Sequence, residues 1–154
     1  MRLTTLCYLI RGDEVCLAKK KRSLGAGMWN GCGGKAEPGE TIEQAAVRET
    51  KEEICVDVAI PDLHAAGIIK FHFADQPQWD QEVHVFYTHR WQGEPQETAE
   101  MAPQWFKIAA IPYSQMWPDD IYWMPKMFAG QKFTGECRFS GSDNKMDKCE
   151  IKDI

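Results

Sequence analysis

Residues 34–53 read GKAEPGETIEQAAVRETKEE, and the closing ETKEE puts Glu49, Glu52 and Glu53 within about one helical turn. Carboxylates at i, i+3 and i+4 are neighbours on a helix surface and repel by a few tenths of a kcal/mol per pair. The helix is well signalled: Thr41-Ile-Glu-Gln44 has capping-box spacing, Glu43 lies in the positive first turn, and the pattern predicts a helix from about Thr41 to Ile54. At roughly 100° per residue, Ile42, Ala45, Ala46, Glu49, Glu52 and Glu53 fall within an arc of roughly 120°. The glutamates thus continue the stripe that faces the protein, while Gln44, Val47, Arg48, Lys51 and Ile54 point elsewhere. A solvated acidic face, with Arg48 and Glu52 as an i, i+4 pair, is the plain alternative. Charge on an inward stripe is costly unless paired or bound to metal. Hard divalent cations prefer oxygen ligands, and Mg²⁺ combines a few carboxylates with substrate phosphates. The stretch therefore points to metal-dependent phosphate chemistry.

The rest of the chain sets the frame. Its 154 residues predict one domain, residues 1–154, and 44% hydrophobic with 11% aromatic residues is a globular rather than a disordered composition. A net charge of −5 argues against a protein that coats a nucleic-acid polymer, but not against free nucleotides held by a few local cations or a metal. No apolar run approaches ~18 residues, so no membrane span is expected, and the early charges of MRLTTLCYLIRGDE do not resemble a signal peptide. The six cysteines, Cys7, Cys16, Cys32, Cys55, Cys137 and Cys149, show no CxxC spacing and predict reduced thiols in a cytoplasmic protein.

Strands are expected at Leu3–Ile10 and Glu14–Ala18, paired as a hairpin across Arg11-Gly12-Asp13, and at Ala65–Phe73, Glu82–Trp91 and Gln104–Ile108. Lys19–Asn30 is expected to be a basic loop, GCGGKAEPGE irregular, and 92–103 a polar loop. Trp117-Pro-Asp-Asp120 leads into a short helix ending near Phe128, and Lys132–Phe139 with Lys145–Ile151 closes the chain as a hairpin. Mixed strands around one or two helices predict an α+β or α/β/α domain.

Gly34, Glu40, Arg48, Glu49, Glu52 and Glu53 resemble the signature of the Nudix hydrolases, G-x5-E-x7-R-E-U-x-E-E-x-G-U, at every charged position. Thr50 and Cys55 depart from it, standing where an aliphatic residue and glycine are usual. The resemblance implies an α/β/α sandwich with a mixed sheet and a catalytic loop–helix–loop. It implies that Glu49, Glu52 and Glu53 ligate Mg²⁺ (or Mn²⁺), with the backbone carbonyl of Gly33 as a further ligand. It implies that Glu53 or Glu52 takes the proton of the attacking water, that Arg48 orients the glutamates, and that Glu40 positions the loop–helix junction.

GAGMWNGCGGK at 25–35, VHVF at 83–86 and MWPDDIYWMP at 116–125 extend the resemblance to the MutT-homologue subfamily, the 8-oxo-dGTP diphosphatases. On their own residues, Pro118, Asp119 and Asp120 suit a helix start. A large aromatic beside two carboxylates also suits a purine, and two acids sharing a proton offer both a donor and an acceptor. By resemblance Asn30, Asp119 and Asp120 read the base, Trp117 stacks on it, and Thr5, Lys20, Phe71 and Trp123 complete the pocket. Glu100, a lone acid in a polar loop, becomes a metal ligand or base by resemblance only. Leu24 and Cys32 stand where this subfamily has phenylalanine, and a small insertion lies around Gln76–Asp80, with Trp79 as a replacement wall. The expected reaction is Mg²⁺-dependent hydrolysis of oxidised purine nucleoside triphosphates, 8-oxo-dGTP and 2-hydroxy-dATP, to monophosphate and pyrophosphate by a monomer. The signature alone equally suits ADP-ribose, dinucleotides or capped RNA, and a non-catalytic nucleotide sensor is the reading from a different class.

Overall fold

The computed structural model describes residues 1–154. β1 (Arg2–Arg11) and β2 (Glu14–Lys20) form the expected hairpin, with Gly12 at φ +59 in its turn. β3 (Trp29–Asn30) is a two-residue strand, and α1 spans Ile42–Ile54. There follow β4 (His64–Phe73), β5 (Gln81–Thr88), β6 (Met101–Lys107), α2 (Asp120–Phe128), β7 (Phe133–Ser140) and β8 (Lys145–Asp153). The sheet runs β3-β2-β1-β5-β4-β7-β8, with β6 also pairing β2. It is mixed: β1 runs parallel to β5 and β4 parallel to β7, while the remaining pairs are antiparallel.

Each helix takes one face. Trp123, Met124 and Met127 of α2 pack with Tyr8, Leu17, Ile69, Val83, Val85 and Phe133 in the larger core. Ala46 and Ile54 of α1 sit against Cys7, Phe86, Leu9 and Cys16 on the other side. This is the α/β/α arrangement.

β1 holds the site in place. It bonds to β5 from Arg2 to Leu9, but to β2 only over Leu9–Arg11. Below that point its other edge is taken by residues 32–36. Cys7 and Cys32 exchange backbone hydrogen bonds of 2.6 and 3.1 Å, Thr5 N donates to Gly34 O at 2.9 Å, and Ala36 N donates to Leu3 O at 2.9 Å.

Several expectations are corrected. β5 stops at Thr88 rather than Trp91, and β6 begins at Met101 inside the stretch expected to be loop. Pro103 is tolerated because β6 pairs with β2 alone, and an edge strand has one row of N–H groups without a ladder partner. The thiols are not all free: Cys137 and Cys149 are register partners across β7 and β8, with Cα atoms 4.0 Å apart, and are joined as a disulfide. Direct opposition in neighbouring strands brings them together, and the residue spacing alone did not reveal it. The buried side of α1 is Ala45, Ala46, Thr50, Glu53 and Ile54, an arc turned roughly 50° from the expected one. Glu52 is consequently outward, its side chain 56% exposed.

Candidate active site

The glutamate-bearing helix is fixed at both ends. Thr41 caps α1 by accepting from Gln44 N at 3.1 Å, and the Gln44 side chain accepts from Thr41 N at 2.9 Å. At the far end Cys55, in the position where glycine was expected, takes the left-handed conformation at φ +64 and closes the helix with N–H to Lys51 O. Thr50, the other departure, is buried and returns its hydroxyl to Ala46 O at 2.8 Å.

Two glycines allow the loop to approach. A Cβ on Gly33 would lie 1.6 Å from Thr5 O, and one on Gly34 would lie 2.5 Å from the Glu49 carboxylate. Arg48 then ties loop to helix, donating to Glu40 at 2.7 and 2.9 Å, to Glu49 at 2.9 Å, to Glu52 at 3.3 Å and to Lys35 O at 3.1 Å. Glu40 also accepts from Glu37 N, and the Arg48 guanidinium holds its carboxyl down to about 2.

Glu53 is the most enclosed of the α1 glutamates, 7% exposed, accepting from Gly33 N at 2.6 Å. Burial pushes it up to about 7, and the charges of Glu49 and Glu100 add to this, against the Gly33 N–H and Lys20. Burial likewise raises Glu49, opposed by Arg48. Glu100, near enough for its charge to act on Glu53, is half-exposed and paired with Arg22, which lowers it.

No three His, Cys, Asp or Glu side chains converge closely enough to enclose an ion by themselves. The donors nevertheless fit Mg²⁺. Glu49 and Glu53 are hard oxygen donors held half out of water, and each would regain its charge beside a cation. Mg²⁺ is bound through one or two carboxylates plus waters and substrate phosphates rather than a closed protein cage.

Beside Glu53 opens a cavity of about 380 Å³, within the range of ligand pockets. It is lined by Thr5, Lys20, Asn30, Gly33, Glu53, Phe71, Trp117, Asp119 and Asp120, bringing together most of the residues singled out from the sequence. Arg48, Glu40, Glu49, Glu52 and Glu100 lie outside its lining. So does Trp123, which is fully buried and donates from Nε1 to Asp119 Oδ2 at 2.8 Å. Its place is behind the wall rather than in the pocket.

Asp119 and Asp120 are each 2% exposed, and Asp119 Oδ1 and Asp120 Oδ2 have no hydrogen-bond partner. Burial raises Asp119 to about 6 and Asp120 further, the latter also by the charge of Asp119. The pair therefore keeps a proton near neutrality and presents one donor and one acceptor. Asn30 Oδ1 accepts from Gly31 N at 2.9 Å and faces Tyr8 Oη at 3.4 Å, leaving its amide N–H₂ to donate. Trp117 packs edge-on to Phe73 and Phe139, with ring centroids 6.1 and 5.5 Å apart.

Sequence reasoning missed Tyr8, Phe73, Gln81 and Arg2. Tyr8 and Phe73 read as ordinary core residues of alternating strands. Gln81 and Arg2 each lie one residue before a strand expected from the sequence, so nothing singled them out. Trp79, suspected as a wall, lines the cavity and meets Phe73 edge-on at 5.9 Å.

Comparison with known proteins gives a consistent picture. The family model described as NUDIX domain matches residues 1–127. The oxidized purine nucleoside triphosphate hydrolase of Danio rerio is 46% identical over 153 residues, covering 97% of this chain and 96% of that protein. The Mus musculus protein of the same name is 43% identical over 142 residues, covering 92% and 89%. Among solved structures, a MutT protein from Bacillus halodurans superposes with a TM-score of 0.82 at 22% identity, covering 99% of this chain and 98% of that one, a likeness of fold.

Proposed function

Because the chain belongs to the NUDIX domain family, we propose that it hydrolyses oxidised purine nucleoside triphosphates to the monophosphate and pyrophosphate. The observation that carries this reading is the half-unsatisfied acid pair, Asp119 and Asp120, lining the same cavity as the enclosed Glu53. The relatives named as oxidized purine nucleoside triphosphate hydrolases support it.

The base enters beside Trp117. The protonated member of the acid pair donates to a ring carbonyl, and the ionised oxygen accepts from ring or exocyclic N–H. Since one proton can sit on either acid, the pair accommodates both 8-oxoguanine and 2-hydroxyadenine edges. Asn30 contributes a further donor, Thr5 Oγ1 a hydroxyl without a protein partner, and Lys20 and Phe71 bound the pocket. Trp123 acts through Asp119, fixing its carboxylate.

Glu49, Glu52 and Glu53, with the Gly33 carbonyl, would hold Mg²⁺, or Mn²⁺ in its place. When bound, such an ion polarises phosphoryl oxygens and lowers the pKa of a coordinated water. Glu53, ionised beside the cation, would accept the proton from the water that attacks the α-phosphorus. Glu52, exposed beside Arg48, would complete the ion's ligands. Arg48 and Glu40 hold the loop against the helix. The new bond joins water oxygen to the α-phosphorus, the bond to the β-phosphate oxygen breaks, and pyrophosphate leaves. We read the whole chain as one domain acting as a monomer in the cytoplasm, with a small nucleotide as its partner. No helix is long and apolar enough to cross a membrane.

The test is a substrate panel with phosphate and pyrophosphate readouts, with and without Mg²⁺. Turnover of 8-oxo-dGTP or 2-hydroxy-dATP well ahead of dGTP, lost in Asp119→Ala, is expected. Equal rates on all nucleotides would remove the selectivity claim.

A further inference from the structure

We propose that Tyr8 is a positioning residue for base recognition: its hydroxyl, together with the Gly31 N–H, holds Asn30 Oδ1 and so commits the Asn30 amide to donate to the base. The inference rests on the base-reading roles given above to Asn30, Asp119 and Asp120.

Tyr8 is wholly buried on β1, in the larger core that α2 covers. A phenol there is costly unless its hydroxyl finds a partner, and phenylalanine would fill nearly the same space without that demand. The side-chain partner is Asn30, whose Oδ1 lies 3.4 Å from Tyr8 Oη. Asn30 lines the cavity and Tyr8 does not, so the phenol acts through Asn30 from behind the wall. The surroundings press the two together. Gly31 also lines the cavity, and a Cβ there would lie 2.6 Å from Tyr8 Cζ, so the ring tip abuts the backbone that carries Asn30. The phenol is also within reach of the acid pair, since the charges of Asp120 and Asp119 add to burial in raising it. Its ring meets Trp123 edge-on at 6.0 Å, and Trp123 in turn donates to Asp119. One side chain thus backs both arms of the base-reading surface.

The direction of the hydrogen bonds decides what Asn30 offers. A carboxamide has nearly the same shape either way round, and the end facing a ligand settles whether it donates or accepts. The Gly31 N–H can only donate, so Oδ1 is the atom that meets it, at 2.9 Å. The Tyr8 hydroxyl, facing the same oxygen, is left to donate as well. At 3.4 Å that bond is long for a hydroxyl, so it steers the amide more than it stabilises the fold. With two donors on Oδ1, Nδ2 is left for a purine acceptor, a ring carbonyl or an unprotonated ring nitrogen. Without the phenol, one backbone N–H alone holds the amide.

The test uses Tyr8→Phe, which keeps the ring and removes only the hydroxyl, beside wild type, Asn30→Ala and the double variant. Binding of 8-oxo-dGMP is measured by calorimetry, and KM and kcat for 8-oxo-dGTP by pyrophosphate release. Tyr8→Phe should weaken monophosphate binding and raise KM by about 3- to 10-fold, the range of one neutral hydrogen bond, while kcat holds. In the Asn30→Ala background the same change should leave kcat/KM where it was, since the hydroxyl then has no amide to orient. An equal loss with and without the Asn30 side chain, a fall in kcat alone, or no loss at all would overturn the assignment. Monophosphate binding needs no turnover, so it decides the role of Tyr8 even if the wild-type chain hydrolyses no oxidised purine nucleotide, a result that would sink the proposed function instead.

Discussion

Replacing Asp119 with asparagine should make the protein more stable at alkaline pH than at acid pH, relative to wild type. Asp119 is almost wholly excluded from water, and burial lifts its carboxyl from 3.8 to about 6, with the Trp123 N–H opposing. Between those values the folded protein holds a proton that the unfolded chain has released. Wild-type stability is therefore undiminished below the lower value, falls as pH rises through about 6, and stays reduced above it. At 1.36 kcal/mol per pH unit, the gap is worth about 3 kcal/mol. Asparagine keeps an oxygen for Trp123 Nε1 and nearly the same volume but never ionises. Asp120 is raised further, by burial and by the charge of Asp119. The variant's advantage should then grow by about 2–3 kcal/mol between about pH 4 and about pH 8. In urea unfolding followed by tryptophan fluorescence, this moves the midpoint difference by about 1–2 M. Taking the difference between variant and wild type at each pH cancels the titration of groups away from the pair. A difference that is flat with pH, or that turns against the variant as pH rises, would refute the account of the buried pair.

Four further outcomes are expected. Thr41→Ala removes the cap hydrogen bond to Gln44 N and should cost about 1 kcal/mol, a Tm loss of about 2–4 °C by calorimetry with kcat unchanged. Cys55→Gly relieves a left-handed residue at φ +64 and should raise stability by about 0.5–1 kcal/mol in the same assay. Trp123→Phe leaves Asp119 Oδ2 without its donor, so it should destabilise by about 1–3 kcal/mol and move the Asp119 titration still higher, read in the pH profile of KM. Glu53→Gln should lower kcat by about 10²–10⁴ with little change in KM, measured under saturating Mg²⁺.

The local code was legible wherever one residue type settles a backbone question. Thr41 and Gln44 marked where α1 starts, Gly12 the first turn, and the glycines of GCGGK irregular backbone, whereas the close approach of Gly33 and Gly34 to the Thr5 carbonyl and Glu49 came only with the fold. The acids at 49, 52 and 53 were found, and Glu49 and Glu53 turn inward as expected, but Glu52 faces out. The helix rotates to bury Thr50 and Ile54, a choice made by the sheet it packs on rather than by its own periodicity. Pairings between distant strands were not legible. Neither the parallel partnership of β4 with β7 nor the opposition of Cys137 and Cys149 leaves a mark in local spacing. Trp123 carried the right alarm but the wrong location, since burial and a donor to Asp119 need the fold to be known.

Because β1 changes partner midway, the loop carrying Gly33 and Gly34 is laced to the central strand almost as a strand would be, while Trp79 stands on a one-turn helix at the rim, between β4 and β5. The two halves of the site are thus free to diverge at different speeds. Substitutions at Leu24 or Trp79 can reshape what the cavity accepts without loosening the part that handles phosphate, so a lineage could change its diet of bases while inheriting its chemistry intact.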